Sequence, residues 1–378
     1  DYNVPLNAGV VEDDRRIQAS LPTVRFLKDA GARVLLMSHL GRPKGSVKDA
    51  LRLAPVAAHL AKLLGSDVAA ATDVIGDDAQ AKVAALKDGD VLMLENVRFH
   101  AEEEKNDAGF AKSLAHGADY FVNDAFGTAH RAHASTEGIT KHVQKSACGY
   151  IIRDELKYLG SVLANPARPY VAISGGAKIS GKIDLIESLL TTVEHLLIGG
   201  GMTSTFLKAK GLEIGKSLLE EDKLELAKKT LADSGDKLEL PVDSVVAGEI
   251  DFGARTVGEL STVTSENMPA DQIGLDIGDA TIARFKEILL KAKTIVWNGP
   301  MGVFEIDATA KGTFAIADAL VEATKAGATT IVGGGDSAAA VEKAGLADQV
   351  SHVSTGGGAT LEFLQGEVLP GVAALDDA

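Results

Sequence analysis

The strongest constraint on the fold is a series of short, uninterrupted apolar runs, each ending in a polar or glycine turn. In the first half these are residues 33–37 (RVLLM), 91–94 (VLML) and 120–122 (YFV). In the second half they are 170–173 (YVAI), 195–198 (HLLI), 294–297 (TIVW) and 330–332 (TIV). The runs are continuous rather than alternating, so both faces of each strand are buried, which predicts parallel sheets. Longer amphipathic stretches at 53–64, 182–192, 219–233 and 313–326 predict helices between the strands, the pattern of an α/β fold. A chain of 378 residues is too long for one ordinary core and suits two domains.

Open parallel sheets bind ligands outside the carboxyl ends of their strands, so the turns carry the functional information. The first-half turns are basic and polar: Ser38-His39-Leu40-Gly41-Arg42-Pro43, Glu95-Asn96-Val97-Arg98-Phe99-His100 and Asn123-Asp124-Ala125-Phe126-Gly127-Thr128. The second-half turns are glycine-rich: Ser174-Gly175-Gly176-Ala177-Lys178, Gly199-Gly200-Gly201, Asn298-Gly299-Pro300 and Gly333-Gly334-Gly335-Asp336-Ser337. One half is expected to hold a small anion, the other to let backbone approach a phosphate chain. Glycine often begins a strand-to-helix loop for packing alone, but four such turns at four strand ends favour the ligand reading.

Charge supports the division. The chain carries a net −15, which disfavours nucleic acid or an anionic membrane as partner. Residues 1–165 hold 20 Lys+Arg against 22 Asp+Glu, whereas residues 166–378 hold 18 against 31. Nine of the twelve arginines and seven of the nine histidines lie in the first part. The guanidinium fork suits carboxylate and phosphate.

Several other classes are excluded. A 46% hydrophobic and 24% charged composition is that of a globular chain. No apolar run approaches the roughly 18 residues of a membrane span, no signal-peptide pattern opens the sequence, and a single cysteine, Cys148, excludes a disulfide framework or a cysteine zinc cluster. A cytoplasmic protein is expected. Residues 176–182 (GAKISGK) fit seven positions of a P-loop, but Ile183 stands where a magnesium-binding hydroxyl is required. What remains is a lysine pair, Lys178 and Lys182, expected to share one face at a helix start and reach the same anion. Neither a dinucleotide fingerprint in its strand–helix setting, nor HExxH, nor G-x-S-x-G occurs. His130 and His133 flank Arg131 and are read as shaping a loop rather than ligating metal. Asp336, after a glycine triplet, suits either a magnesium ion or a helix N-cap. Residues 354–358 (STGGG) precede a short helical stretch at 359–363 and could aim amides at a phosphate.

Residues 150–165 (YIIRDELKYLGSVLAN) read as one amphipathic helix falling where the charge balance changes. The expected organisation is a first domain over 1–150, a joining helix over 151–165 and a second domain over 166–359. The tail from 360 to 378 would return to the first.

These segments together resemble the phosphoglycerate kinase family along essentially the whole chain. The match runs through 1–6 (DYNVPL), 38–45 (SHLGRPKG), 94–100 (LENVRFH), 122–133 (VNDAFGTAHRAH) and 174–183 (SGGAKISGKI). It continues through 198–202 (IGGGM), 297–305 (WNGPMGVFE), 333–337 (GGGDS) and 354–358 (STGGG), in family order. The resemblance implies two doubly wound parallel-sheet α/β domains joined by a hinge helix. It also implies reversible, in-line phosphoryl transfer between 1,3-bisphosphoglycerate and MgADP, after domain closure, giving 3-phosphoglycerate and MgATP. It implies that Asp1, Asn3, Arg16, His39, Leu40, Gly41, Arg42, Arg98 and Arg131 hold the phosphoglycerate. Arg16, Lys178 and the Gly357 amide would stabilise the group in flight. Lys182, Gly199, Gly200, Gly201, Asn298, Pro300, Glu305, Gly334, Gly335, Asp336, Ser337, Gly356 and Gly358 would hold ATP or ADP, with Asp336 also taking Mg2+. A monomer is expected by the same resemblance, and related chains usually carry a strand and a helical segment ahead of the position of Asp1.

Two further readings remain open. A nucleotide-binding regulator would keep the glycine turns and lose the basic cluster, yet Arg16, His39, Arg42, Arg98 and Arg131 are all present. A P-loop hydrolase would need a hydroxyl at Ile183.

Overall fold

The structure is a computed structural model and describes residues 1–377. Two compact units divide the chain: Asp1–Lys157 together with the tail from Glu367, and Tyr158–Gly366. The division falls inside the helix Tyr150–Ala164.

In the first unit, strands β1 (Val34–Leu36), β2 (Ala69–Ala70) and β3 (Val91–Met93) form a parallel sheet with β3 central. Strands β4 (Tyr120–Asn123) and β5 (Lys145–Cys148) pair in parallel beside it in sequence. Helix α1 (Arg15–Asp29) and helix α2 (Ala54–Leu64) close one apolar cluster through Ile17, Val56 and Leu60. A second cluster gathers Leu92, Leu94, Phe110 and Phe121. The tail is tied down by backbone contacts: Gly371 donates to the Ala129 carbonyl at 2.8 Å, and Asn123 Nδ2 donates to the Gly371 carbonyl at 2.9 Å.

The second unit is built on six parallel strands: β6 (Tyr170–Ser174), β7 (His195–Ile198), β8 (Leu238–Glu239), β9 (Thr294–Asn298), β10 (Thr329–Gly333) and β11 (His352–Val353). Their spatial order is β8-β7-β6-β9-β10-β11, a doubly wound order that reverses between β6 and β9. That reversal opens the crevice where such sheets bind ligands. The register aligns Ser174 with Asn298 and Asn298 with Gly333, so three strand ends finish at one level. Trp297 is fully buried in the core of this unit, and its indole N–H is satisfied by the Gly299 carbonyl at 2.7 Å.

All seven runs expected to be parallel strands are parallel strands. Not anticipated was an antiparallel sheet of Ser261–Thr264, Asp243–Ala247 and Ile273–Ile277, inserted between β8 and β9. The edge strand Ser261–Thr264 is mostly exposed, and the other two carry buried polar residues, Asp243, Ser244 and Asp276, so none has the continuous apolar signature.

Candidate active site

In the first unit, the turns after β1, β3 and β4 and the start of α1 bring the basic residues together. The Arg16 guanidinium bonds the Asp1 carboxylate, and His39 Nδ1 lies 3.4 Å from the same carboxylate. That spacing would suit an ion pair, yet the His39 ring is neutral. Burial drives its pKa far below the usual histidine range, and the positive charge of Arg98, Arg131 and Arg16 drives it further. Asn3 Oδ1 accepts from the Gly41 amide at 2.8 Å, and Arg98 Nη1 donates to the Gly41 carbonyl at 3.2 Å. Arg98 is deeply buried; its Nε has no hydrogen-bond partner, and Glu104 stands 3.6 Å away. Burial lowers its pKa, and the neighbouring Arg131 and Arg42 also act to lower it. Arg42 is exposed and Arg131 half-buried. Leu40 belongs to the apolar core instead, with its amide engaged by Asn96.

The Arg131 loop is held by residues that the sequence did not single out. Glu103, buried, accepts from the Ser135 amide at 3.0 Å and from the Ser135 hydroxyl at 2.5 Å. Thr136 Oγ1 donates to the Arg131 carbonyl at 2.7 Å. His133 is neutral, its pKa lowered to about 4 by burial and by Arg98; it lines the loop, as expected. A glutamate followed some thirty residues later by Ser-Thr carries no local signal, because the bond exists only once the chain has folded back.

In the second unit, the turns after β6, β7 and β9 pack backbone against backbone. A methyl group at Gly175 would lie 2.1 Å from the Pro300 carbonyl oxygen, and one at Gly299 would lie 2.2 Å from the Gly175 oxygen. The amides of these turns are also engaged within the protein. The Gly175 amide bonds Asn298 O, Gly176 bonds Pro300 O, Gly199 bonds Ser174 O, Gly200 bonds Met301 O, and Gly299 bonds the Ser337 hydroxyl. Glycine is required there because three turns share one space, and the amides are already engaged. Gly201 lies in the same packing, where a methyl would come 2.9 Å from Ala177 O.

A correction concerns the lysine pair. The helix begins at Ile183, with Lys182 as its cap residue and Lys178 in the preceding loop, so the two do not share a helical face. Lys178 is exposed. Lys182 turns inward and donates to the Asn298 carbonyl at 2.8 Å and to its Oδ1 at 2.6 Å. Burial pulls the ammonium's pKa down to about 8, opposed by Asp336. Asn298 Nδ2 is left buried without a hydrogen-bond partner, beside the turn at Gly333 and Gly334.

After β10, Gly334 precedes helix α3 (Gly335–Lys343), whose first turn holds Asp336, exposed, and Ser337, buried. The first-turn amides of a helix have no intrahelical acceptor and favour anions. Gly356 bonds the Ser354 hydroxyl at 3.1 Å, and Gly357 adopts φ +54 immediately before the helix Gly358–Leu364. Glu305 is exposed on the loop after Pro300. Among the described residues, no group of three or more His, Cys, Asp or Glu could hold a metal ion.

A cluster of cations at the strand ends of one unit, and a doubly wound sheet with an inward-turned lysine at its switch point in the other, define an α/β enzyme handling phosphorylated anions. The phosphoglycerate kinase family model matches residues 1–367. The phosphoglycerate kinase of Nostoc punctiforme is 58% identical over 382 aligned residues, covering 100% of this chain and 94% of that protein. That of Chloroherpeton thalassium is 57% identical, covering 100% and 95%. Among solved structures, phosphoglycerate kinase from Coxiella burnetii superposes with a TM-score of 0.86 at 40% identity, covering 98% of this chain and 93% of that one. The Pyrococcus horikoshii OT3 enzyme gives 0.86 at 32% identity, covering 99% and 93%. The chain belongs to the phosphoglycerate kinase family. The reaction is the glycolytic one, a reversible transfer of a phosphoryl group between the acyl phosphate of 1,3-bisphosphoglycerate and ADP, giving 3-phosphoglycerate and ATP.

Proposed function

We propose that the first unit holds 3-phosphoglycerate on its cation cluster and the second holds the nucleotide at its sheet switch point. The observation that carries this reading is the convergence of Arg16, Arg98 and Arg131 around a neutral His39, with Arg42 acting on Arg98. Asp1 and Glu104 answer part of this positive charge. A phosphorylated carboxylate would add the further negative charge that such a cluster favours. Asp1, Asn3, Gly41 and His39 would take the hydroxyl group, Arg16 would lie near the carboxylate, and Arg42, Arg98 and Arg131 would take the phosphate.

Lys182, Asn298 and the first-turn amides of Gly335, Asp336 and Ser337 would meet the nucleotide phosphates. The unpartnered Asn298 Nδ2 supports this, as a donor awaiting an acceptor. Gly199, Gly200, Gly201 and Pro300 would shape the base pocket through their close-packed backbone, and Glu305 would take the ribose hydroxyls. Asp336 suits a magnesium ion carried in with the nucleotide, because such ions take one or two carboxylates and fill the rest of their shell with phosphate oxygens and water. When bound, the ion would neutralise charge on the phosphate oxygens.

The carboxylate of 3-phosphoglycerate needs no general base, being already a nucleophile. Its oxygen attacks the terminal phosphorus in line as the bond to the ADP oxygen breaks, and Arg16, Lys178 and the Gly357 amide would stabilise the charge in transit. The two substrates must be brought within bonding distance, so closure would accompany binding and exclude water from the acyl phosphate. We further infer a monomer working in the cytoplasm.

The test is ATP consumption with magnesium, with and without 3-phosphoglycerate, read through a coupled dehydrogenase that reduces the acyl phosphate. Turnover is expected only with 3-phosphoglycerate, and Arg16→Ala is expected to lower it by at least about 100-fold. Consumption of ATP at the same rate without 3-phosphoglycerate would refute the kinase reading and favour a hydrolase.

A further inference from the structure

Beyond the ends of β1 and β3, one side chain carries the pairing that the backbone no longer makes. Main-chain bonds between the two segments run from Leu94 N–H to Leu36 O at 2.8 Å and from Val97 N–H to Ser38 O at 3.1 Å, and resume only at Gly45 N–H to Arg98 O at 3.2 Å. Between Ser38 and Gly45, Asn96, fully buried, spans the gap. Its Oδ1 accepts from the amides of Leu40 at 3.2 Å and Arg98 at 3.1 Å. Its Nδ2 donates to the carbonyls of Leu40 at 2.8 Å and Leu51 at 2.9 Å.

The side-chain amide thus pairs both polar groups of Leu40 as a neighbouring strand would. All four of its hydrogen-bonding positions are filled, so it cannot rotate without stranding a buried group. Asn96 is fixed in turn: its own amide donates to Glu95 Oε1 at 2.8 Å, which also accepts from Leu53 N at 2.8 Å. Leu40 lies between His39 and Gly41. Gly41 receives Arg98 on its carbonyl and gives its amide to Asn3. The two loops that carry His39, Gly41 and Arg98 therefore take their spacing from one neutral amide, and the Asn3 segment follows through Gly41. A neutral side chain does this without quenching the cation field, which a carboxylate in the same place would do.

We propose that Asn96 is a positioning residue for 3-phosphoglycerate, setting the spacing of His39, Gly41 and Arg98 without touching the substrate; this rests on the functional reading above. Asn96→Ala removes all four bonds. Asn96→Asp keeps the two accepted bonds, loses the two donated ones and adds a negative charge beside Arg98. A displacement of about 1 Å in such a site costs about 100-fold. Both variants are expected to raise the KM for 3-phosphoglycerate by about 10- to 100-fold, with the KM for ATP and calorimetric ATP affinity within about twofold of the parent. A purely structural role would lower the active fraction and the melting temperature while leaving KM alone.

An unchanged KM for 3-phosphoglycerate in an active, folded variant overturns the proposal. So does an equal rise in both KM values, or loss of the fold in both variants. If instead the parent chain shows no turnover dependent on 3-phosphoglycerate, the functional reading falls first, and this inference with it.

Discussion

Lys182 offers the sharpest quantitative test of the nucleotide site. Its ammonium is half-buried against Asn298, and burial displaces its pKa from 10.5 to about 8. At about 1.36 kcal/mol per unit, that displacement weighs about 3 kcal/mol against the charged form. This is an upper value, since part of the side chain reaches solvent. A phosphate chain beside the ammonium favours its charged form and would raise the pKa towards the ordinary range. The bound state then holds more protons than the free state wherever free Lys182 is neutral. At pH 9 free Lys182 would be about 10% protonated and the bound form nearly fully so, giving an uptake of about 0.9 proton per ATP. At pH 7 the free form is already about 90% protonated, and the uptake falls to about 0.1. Because the bound state carries the extra proton, affinity must fall as pH rises, by about tenfold between pH 7 and pH 9. The nucleotide's own terminal phosphate titrates near about 6 and does not contribute in this window. Calorimetry of ATP binding at each pH, in buffers of differing ionisation enthalpy, reads the uptake directly. Lys182→Met should bind more weakly and lose the pH dependence. An uptake below about 0.3 proton at pH 9, or an equal uptake in Lys182→Met, would refute the placement of the phosphates at this lysine.

The glycine turns and the closure step give two more expectations. Gly175→Ala sets a methyl 2.1 Å from the Pro300 oxygen, whereas Gly160→Ala meets nothing within 4 Å inside the helix Tyr150–Ala164. The first should cost about 2–4 kcal/mol in urea unfolding, through overpacking and displaced turn bonds. The second should be neutral or stabilising by up to about 1 kcal/mol; equal effects would contradict the account of the packed turns. Small-angle scattering should show greater compaction with 3-phosphoglycerate and nucleotide together than with either alone, and an unchanged profile with both bound would remove closure from the mechanism.

Much of this architecture could be read along the chain. A run such as YVAI at 170–173 reports burial on two faces through composition alone, and burial on two faces implies a parallel neighbour. Strand direction then places the turns, so His39, Arg42 and Arg98 could be picked out before any contact was known. The antiparallel insertion between β8 and β9 carries no such composition, because one strand is exposed and buried Asp243, Ser244 and Asp276 interrupt the others. The spacing of Lys178 and Lys182 suggests a shared helical face, yet the helix starts only at Ile183, beyond both of them.

Local residue order was therefore enough for the fold class, the division of charge between the units and the set of residues at the strand ends, because these follow from periodicity and position along the chain. The folded structure was needed to say what each of those residues does. That the glycine amides are engaged by Asn298, Pro300 and Met301, that Lys182 points inward with a lowered pKa, and that Asn96 spaces the loops of the cation cluster all depend on contacts between distant segments. Burial and hydrogen-bond partners are properties of such contacts, and they set both the charge state of a side chain and whether a backbone amide is free to meet a ligand.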